Sequence, residues 1–250
     1  MIRFEKVCKA FGAQQVLDRV DLTIHKGETF VIVGSSGMGK SVTLKHMIRL
    51  LTPDSGRIFV GDDCINEASD KEMPRIRDRF GVLFQNGALL AWLSVFENVA
   101  LPLRERTAMT EEEIEVRVAE CLDLVELASA ATKFPDEISG GMRKRAGLAR
   151  AIVMKPEIIL YDEPTSGLDP VISRSIDRLI DDMRVKLGVT SVVVTHDMHS
   201  ALGIATRIAM IAGGRFVEIA SPPDFIRSEH PDVKEFLEAQ YITRRGGWEA

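Results

Sequence analysis

The residues best able to do chemistry fall into three clusters. Gly34-Ser35-Ser36-Gly37-Met38-Gly39-Lys40-Ser41 sets closely spaced glycines ahead of a lysine and a hydroxyl. Glycines let such a loop curl so that successive N–H groups point inward, which suits crowded phosphate charge. Lys40 is then placed to reach the outer phosphates, and the Ser41 hydroxyl to ligate Mg²⁺. Further on, Ile158-Ile159-Leu160-Tyr161 delivers Asp162 and Glu163 to the end of an apolar run. Neighbours on a strand point to opposite faces, so these two carboxylates need not share a role. Asp162 suits Mg²⁺, directly or through water; Glu163 suits an attacking water, as general base or positioning group. Between them lies Ile138-Ser139-Gly140-Gly141-Met142-Arg143-Lys144-Arg145. Its glycine pair precedes a helix start and forms a second candidate anion site. Alone, each cluster has an ordinary reading as a turn, a strand end or a helix start.

These clusters need elements to position them. Thr29–Val33 is a continuous apolar strand ahead of the glycine loop, suited to a sheet buried on both faces. Leu44, Ile48 and Leu51 mark one face of the helix after it. That helix begins near Lys40, and its N-terminus adds roughly half a positive charge to the loop. Pro53-Asp54-Ser55-Gly56 ends it and leads to a strand at 57–60. From Ile2 to Ile24 apolar and polar residues alternate, broken at Gly12, which predicts antiparallel strands. Residues from about 86 to 155 read as helical. Thr110-Glu111-Glu112-Glu113 has capping-box form there, and Ile114, Val118, Cys121 and Val125 share a face. Strands at 158–161 and 191–194 follow, with an amphipathic helix between them. Met142, Ala146, Ala149 and Val153 supply a buried stripe, which leaves Arg143, Lys144 and Arg145 on a solvated face.

The 250 residues, 45% hydrophobic and 28% charged, suffice for one substantial core. A net charge of -5 weighs against nucleic acid as a partner. Cys8, Cys64 and Cys121 are scattered, which argues against a disulfide framework. The N-terminal residues lack the charged and apolar regions of a signal peptide. No apolar run has bilayer length, so a membrane role is expected through a partner.

In this order the motifs resemble the ATP-binding cassette ATPases of ABC transporters, over nearly the whole chain. The resemblance implies an α/β fold: a P-loop ATPase core with an antiparallel β subdomain and an inserted helical subdomain of about residues 86–155. The whole of 1–250 would form one nucleotide-binding domain. It also implies roles. Phe11 stacks on adenine, and Gly34 through Val42 bind the phosphates, although many members carry Thr at the position of Val42. Gln85 senses the γ-phosphate and Mg²⁺, and His196, in Thr195-His196-Asp197, contacts the γ-phosphate. Two copies face head to tail, so Ser139, Gly140 and Gly141 of one engage ATP held by the other. Asp169, in Ser166-Gly167-Leu168-Asp169, communicates across that dimer. ATP and Mg²⁺ are the implied cofactors, and an integral membrane permease the implied partner. Judged alone, Phe11 could equally be a core aromatic, and Gln85 or His196 a polar strand end.

Met142, where most members have Gln or Glu, and the segment from Leu83 to Glu105 resemble one subgroup, the Mla-type phospholipid-transport ATPases of Gram-negative bacteria. Toluene-tolerance and mammalian-cell-entry (MCE) transporters belong to it. This implies an MCE-type lipid-binding partner and a place on the cytoplasmic face of the inner membrane through the permease, with room for a small regulatory subunit. Leu89, Leu90, Trp92, Leu93, Val95 and Phe96 then line the permease groove, or else simply belong to the core. The alternatives are a cassette for another substrate, such as an amino acid or lipoprotein, and a soluble ABC protein. The second usually carries two cassettes or a long coiled-coil insertion, and neither is seen. The tail from Tyr241 to Ala250 is rich in Arg and Gly and matches too little to carry a role.

Overall fold

The computed structural model describes residues 1–242; the rest of the Arg- and Gly-rich tail, 243–250, lies outside the described residues. In chain order the elements begin with β1 (Ile2–Phe11), β2 (Gln14–Ile24), β3 (Thr29–Val33), α1 (Lys40–Met47), β4 (Ser55–Val60), β5 (Asp63–Cys64) and α2 (Met73–Arg77). They continue with β6 (Phe80–Leu83), α3 (Val95–Arg106), α4 (Glu111–Leu124), α5 (Gly140–Ile152), β7 (Ile158–Asp162) and α6 (Pro170–Leu187). Then come β8 (Thr190–Val194), α7 (Met198–Ile204), β9 (Arg207–Ala212), β10 (Arg215–Ala220), α8 (Pro222–Ile226) and α9 (Pro231–Glu238). Among the described residues, 1–77 and 190–242 form one compact unit; Asp78–Val189 form another.

In the first unit the alternating N-terminal sequence folds as expected. β1 and β2 pair antiparallel from Ile2 opposite Ile24 to Phe11 opposite Gln14, turning at Gly12 with φ 60°. The sheet order is β2-β1-β4-β5, and Ile2, Phe4, Val7, Leu17, Val20, Leu22 and Ile24 are buried from it. A second run of strands is ordered β10-β9-β3-β8, with β3 parallel to both neighbours. Every residue of β3 and β8 is buried, which explains why neither sequence alternates. Ile32 lies opposite Val194, so the loops after β3 and β8 leave the sheet side by side at its carboxyl edge. Leu44 and Ile48 are buried as the helical period requires, but α1 is shorter than expected. Arg49, at φ 50°, turns the chain out of the helix before Leu51.

In the second unit β6 and β7 are parallel, with Leu83 opposite Tyr161. Their carboxyl ends therefore project the Gln85 and Asp162–Glu163 segments next to each other. Capping boxes start α3 at Ser94 and α4 at Thr110, the latter as its sequence predicts. Ile114, Val118, Cys121 and Val125 are buried on one face. α3, α4 and α5 lie within residues 95–152, and the compact unit also takes in β6, β7 and α6.

The basic run on α5 departs from expectation. Arg143 and Arg145 are only half exposed, and Lys144 is buried at 4% exposure. The cause is packing: α5 contacts α3, α4, α6 and β6, so it has no broad solvated face. Glycines allow this approach. A Cβ at Gly147 would lie 2.8 Å from Leu83 Cδ1, and one at Gly81 would lie 2.3 Å from the Ala151 carbonyl oxygen.

Candidate functional site

The loop after β3 is held open by backbone that only glycine tolerates. Gly34 has φ 147°, Gly37 82° and Gly39 99°. A Cβ on Gly34 would stand 2.6 Å from the Ile211 carbonyl oxygen, whereas one on Gly37 would meet open space. Ser35, Ser36, Gly37 and Met38 are exposed, and Gly39 and Lys40 are buried beneath them. The Lys40 ammonium donates to the carbonyls of Gly34 at 2.7 Å and Ser35 at 3.0 Å. Gly39 caps α1 and has no side chain of its own to bond the first N–H groups of the helix. Ser41 and Val42 follow, half-buried. The hydroxyl missing at Val42 is present one residue later, but Thr43 Oγ1 donates to the Gly39 carbonyl at 3.0 Å and thus braces the loop.

His196 leaves β8 with an exposed side chain and a fixed backbone. The Gln240 side chain grips both flanks of this turn: Nε2 donates to the His196 carbonyl, and Oε1 accepts from Met198 N–H, each at 2.8 Å. Asp197 caps α7. Nothing in the spacing of the sequence pointed to Gln240. Phe11 ends β1 at 46% exposure with Lys9 over its ring, so it is not a core aromatic.

The remaining expected residues belong to the second unit. Gln85 is exposed just past β6, and its Nε2 reaches Ser166 Oγ at 3.5 Å. Gly87 and Ala88, at φ 72° and 49°, turn the chain behind it, and Arg150 donates to both carbonyls at 2.9 and 2.8 Å. Burial pushes the Arg150 pKa down, as expected of a guanidinium used as an internal brace. Asp162 and Glu163 are half-buried, and Glu163 has φ 49°. The Lys144 ammonium donates to the Glu163 carbonyl at 2.9 Å. Burial lowers the Lys144 pKa, while the charges of Glu163 and then Asp162 oppose that shift.

Ser139, Gly140 and Gly141 open α5 as the sequence predicts, with Ser139 Oγ accepting from Met142 N–H at 3.3 Å. The Asp169 carboxylate caps α6, accepting from Val171 and Ile172 N–H at 2.9 and 3.0 Å. Asn98 was also invisible in the sequence. It is fully buried and pins the segment before α3, accepting from Leu90 N–H at 2.7 Å and donating to carbonyls of Leu90, Leu93 and Ser94.

The expected residues thus divide into an open glycine loop with Lys40, Phe11 and His196, and an acidic strand end with Gln85 and the Ser139 turn. A sequence model of the ABC transporter family matches residues 17–166, which include the glycine loop with Lys40, Gln85, the Ser139 turn and the acidic strand end. The chain belongs to the ABC transporter ATP-binding family. It is an ATP-hydrolysing cassette of the transporter type. It is 44% identical over 241 residues to the probable ribonucleotide transport ATP-binding protein mkl of Mycobacterium tuberculosis, covering 96% of this chain and 67% of that one. It is 42% identical over 223 residues to the methionine import ATP-binding protein MetN 1 of Pectobacterium atrosepticum, covering 87% of this chain and 65% of that one. Among solved structures, a dimeric ATP-binding cassette in a post-hydrolysis state with ADP and Pi superposes with a TM-score of 0.81 at 35% identity. That match covers 89% of this ABC ATPase and 99% of the solved chain. Among the described residues, no helix is long and apolar enough to cross a membrane.

Proposed function

We propose that this ABC ATPase binds ATP and Mg²⁺, dimerises on ATP, and drives phospholipid transport between the inner and outer membranes of a Gram-negative bacterium. The observation that carries the nucleotide reading is the uncapped start of α1 beside a buried Lys40. An exposed glycine loop over a helix start that has no side-chain cap fits a polyphosphate. The proposed metal ligands, Ser41, Gln85 and Asp162, are oxygen donors, the class that Mg²⁺ prefers. When bound, Mg²⁺ neutralises charge that develops on the phosphate oxygens.

The chain's own residues supply the rest. Lys40 exchanges the Gly34 and Ser35 carbonyls for phosphate oxygens. The exposed Phe11 stacks on adenine, and the exposed His196 imidazole contacts the γ-phosphate. Glu163 orients the attacking water and takes its proton. Ser139, Gly140 and Gly141 meet the nucleotide of a second copy, and Asp169, seated as a cap on α6, relays that contact. All of this belongs to one nucleotide-binding domain, 1–250, with the helical segment of about 86–155 inserted into its core.

The phospholipid assignment is supported by Met142 and by the segment after Gln85. Trp92, at 73% exposure beside half-buried Leu89, Leu90 and Leu93, offers apolar surface to a permease. The partners proposed are a second copy, a permease, an MCE-type lipid-binding protein and, where present, a small regulatory subunit, all at the cytoplasmic face of the inner membrane. A second reading, import of a small solute, is favoured by the 42% identity to the methionine import protein. Purification of the tagged chain from membranes separates the two. Recovery of an MCE-type protein carrying phospholipid supports the first; recovery of a permease with a methionine-binding protein supports the second.

A further inference from the structure

The Glu163 backbone is held in a conformation that its own sequence disfavours. Its φ of 49° is left-handed, which costs an L-residue with a side chain, and Pro164 follows. A proline ring pushes the residue before it toward extended backbone, so the two local preferences both oppose the observed state. Strained backbone of this kind persists only where the surroundings determine it. Two donors to its carbonyl contribute here. Ser166 N–H closes the local turn onto the Glu163 carbonyl at 3.2 Å. The other donor is Lys144 Nζ at 2.9 Å, reaching in from α5 with the side chain buried.

We propose that Lys144 is a positioning residue for Glu163: its buried ammonium holds the Glu163 carbonyl, and with it the left-handed backbone that aims the carboxylate at the attacking water. The inference rests on the assignment of Glu163 to that water. It also links two parts of the cassette that the chain keeps separate. Gly140 and Lys144 lie above one another on α5, one turn apart. Whatever seats the first turn of α5 therefore also seats the Glu163 peptide. Closure of the Ser139–Gly141 turn on a second copy's nucleotide would report, through one rigid helical turn, to the water-activating group of the same chain. An apolar side chain does not substitute for this donor, because it offers the carbonyl no N–H.

The test compares the intact chain with Lys144→Met, Lys144→Gln, Glu163→Gln and the Lys144→Met/Glu163→Gln double variant. ATP affinity is measured by nucleotide titration, and turnover is expressed per ATP-binding site, so that loss of folded protein does not pass for slow chemistry. Lys144→Met is expected to lower kcat about ten- to hundredfold with ATP affinity within about twofold, as for a misplaced catalytic group. Lys144→Gln retains a donor and is expected to recover most of that loss. The double variant is expected to be no slower than Glu163→Gln alone. If Lys144→Met fails to fold, Lys144→Leu, which also lacks a donor, takes its place, with reduced kcat and intact binding again expected. A kcat for Lys144→Met within about twofold of the parent, alongside an inactive Glu163→Gln, overturns this inference alone. Loss of affinity and kcat together, unrecovered in Lys144→Gln, assigns Lys144 a merely structural role and also overturns it. Normal turnover by Glu163→Gln overturns the reading of Glu163 on which the inference depends.

Discussion

Two helices of this cassette begin at glycine-rich loops, and their first turns are built differently. α1 starts behind Gly39 at φ 99°, with no side-chain cap, and has the Lys40 ammonium at its foot. α5 starts behind Ser139 at φ -67°, and the serine hydroxyl already accepts from Met142 N–H. The basic residues after it turn inward: Arg143 donates to the Ile138 carbonyl at 2.8 Å and Lys144 to that of Glu163. The first helix end has no cap side chain for an anion to displace, and its Lys40 would exchange two backbone carbonyls for it. The second has spent one N–H on its own cap, worth about 1 kcal/mol, which an anion there would have to displace. On the proposed reading, one chain thus carries a strong phosphate site and a weak one. The weak site suits a ligand that is already held elsewhere and only has to be met, which is what a second copy's nucleotide would be.

Lys40→Ala should expose this contrast most sharply. Loss of a charge-assisted contact of about 1.5–3 kcal/mol weakens ATP binding roughly ten- to more than a hundredfold. Nucleotide titration checks it, and unchanged affinity would remove α1 as the primary site. Next come the glycines. Gly34→Ala drives a Cβ to 2.6 Å from a backbone carbonyl at φ 147°, and neither group has freedom to move. Gly141→Ala meets the Ile172 Cγ2 methyl at 2.6 Å, the end of a side chain that can turn. Thermal unfolding should show the larger loss for Gly34→Ala, about 2–4 kcal/mol against about 1–2 for Gly141→Ala. Equal losses would mean that the two loops are equally rigid. Ser139→Ala should cost about 1 kcal/mol of stability and leave ATP affinity on the isolated chain unchanged, since the cap serves only α5. The smallest effect separates the units by reactivity. Burial pushes the Cys121 thiol up to about 11, whereas Cys8 and Cys64 are half-buried. At pH 8 a thiol reagent should label Cys8 and Cys64 first, because little Cys121 thiolate forms below its pKa. Early labelling of Cys121 in mass spectrometry would show that the helical unit opens readily.

What the sequence made legible was local. The unbroken apolar runs of β3 and β8, the glycine loop, the Thr110 capping box and the Ser139 helix start each declare themselves within a few residues. What it concealed was contact across long separations. Arg143, Lys144 and Arg145 read as a solvated face because a period argument assumes that a helix has one dry side, and α5 is packed on several. Lys144 was therefore misplaced, and with it its hold on Glu163. Arg150 behind the Gln85 turn, Asn98 beneath the Leu90–Ser94 segment and Gln240 on the His196 turn also escaped notice. Each works through backbone carbonyls or N–H groups, which leave no trace in side-chain spacing. Asp169 was assigned only by resemblance, and its role as the α6 cap was legible in principle from an acidic residue directly before Pro170.

The central claim, that the strong site binds ATP and the weak site meets a second copy's ATP, is tested most directly by light scattering on Glu163→Gln. With slowed hydrolysis, the chain should be a monomer without nucleotide, a dimer with Mg²⁺ and saturating ATP, and a weakened dimer when Ser139→Ala is added. A monomer at saturating ATP, with binding confirmed by titration, would contradict it.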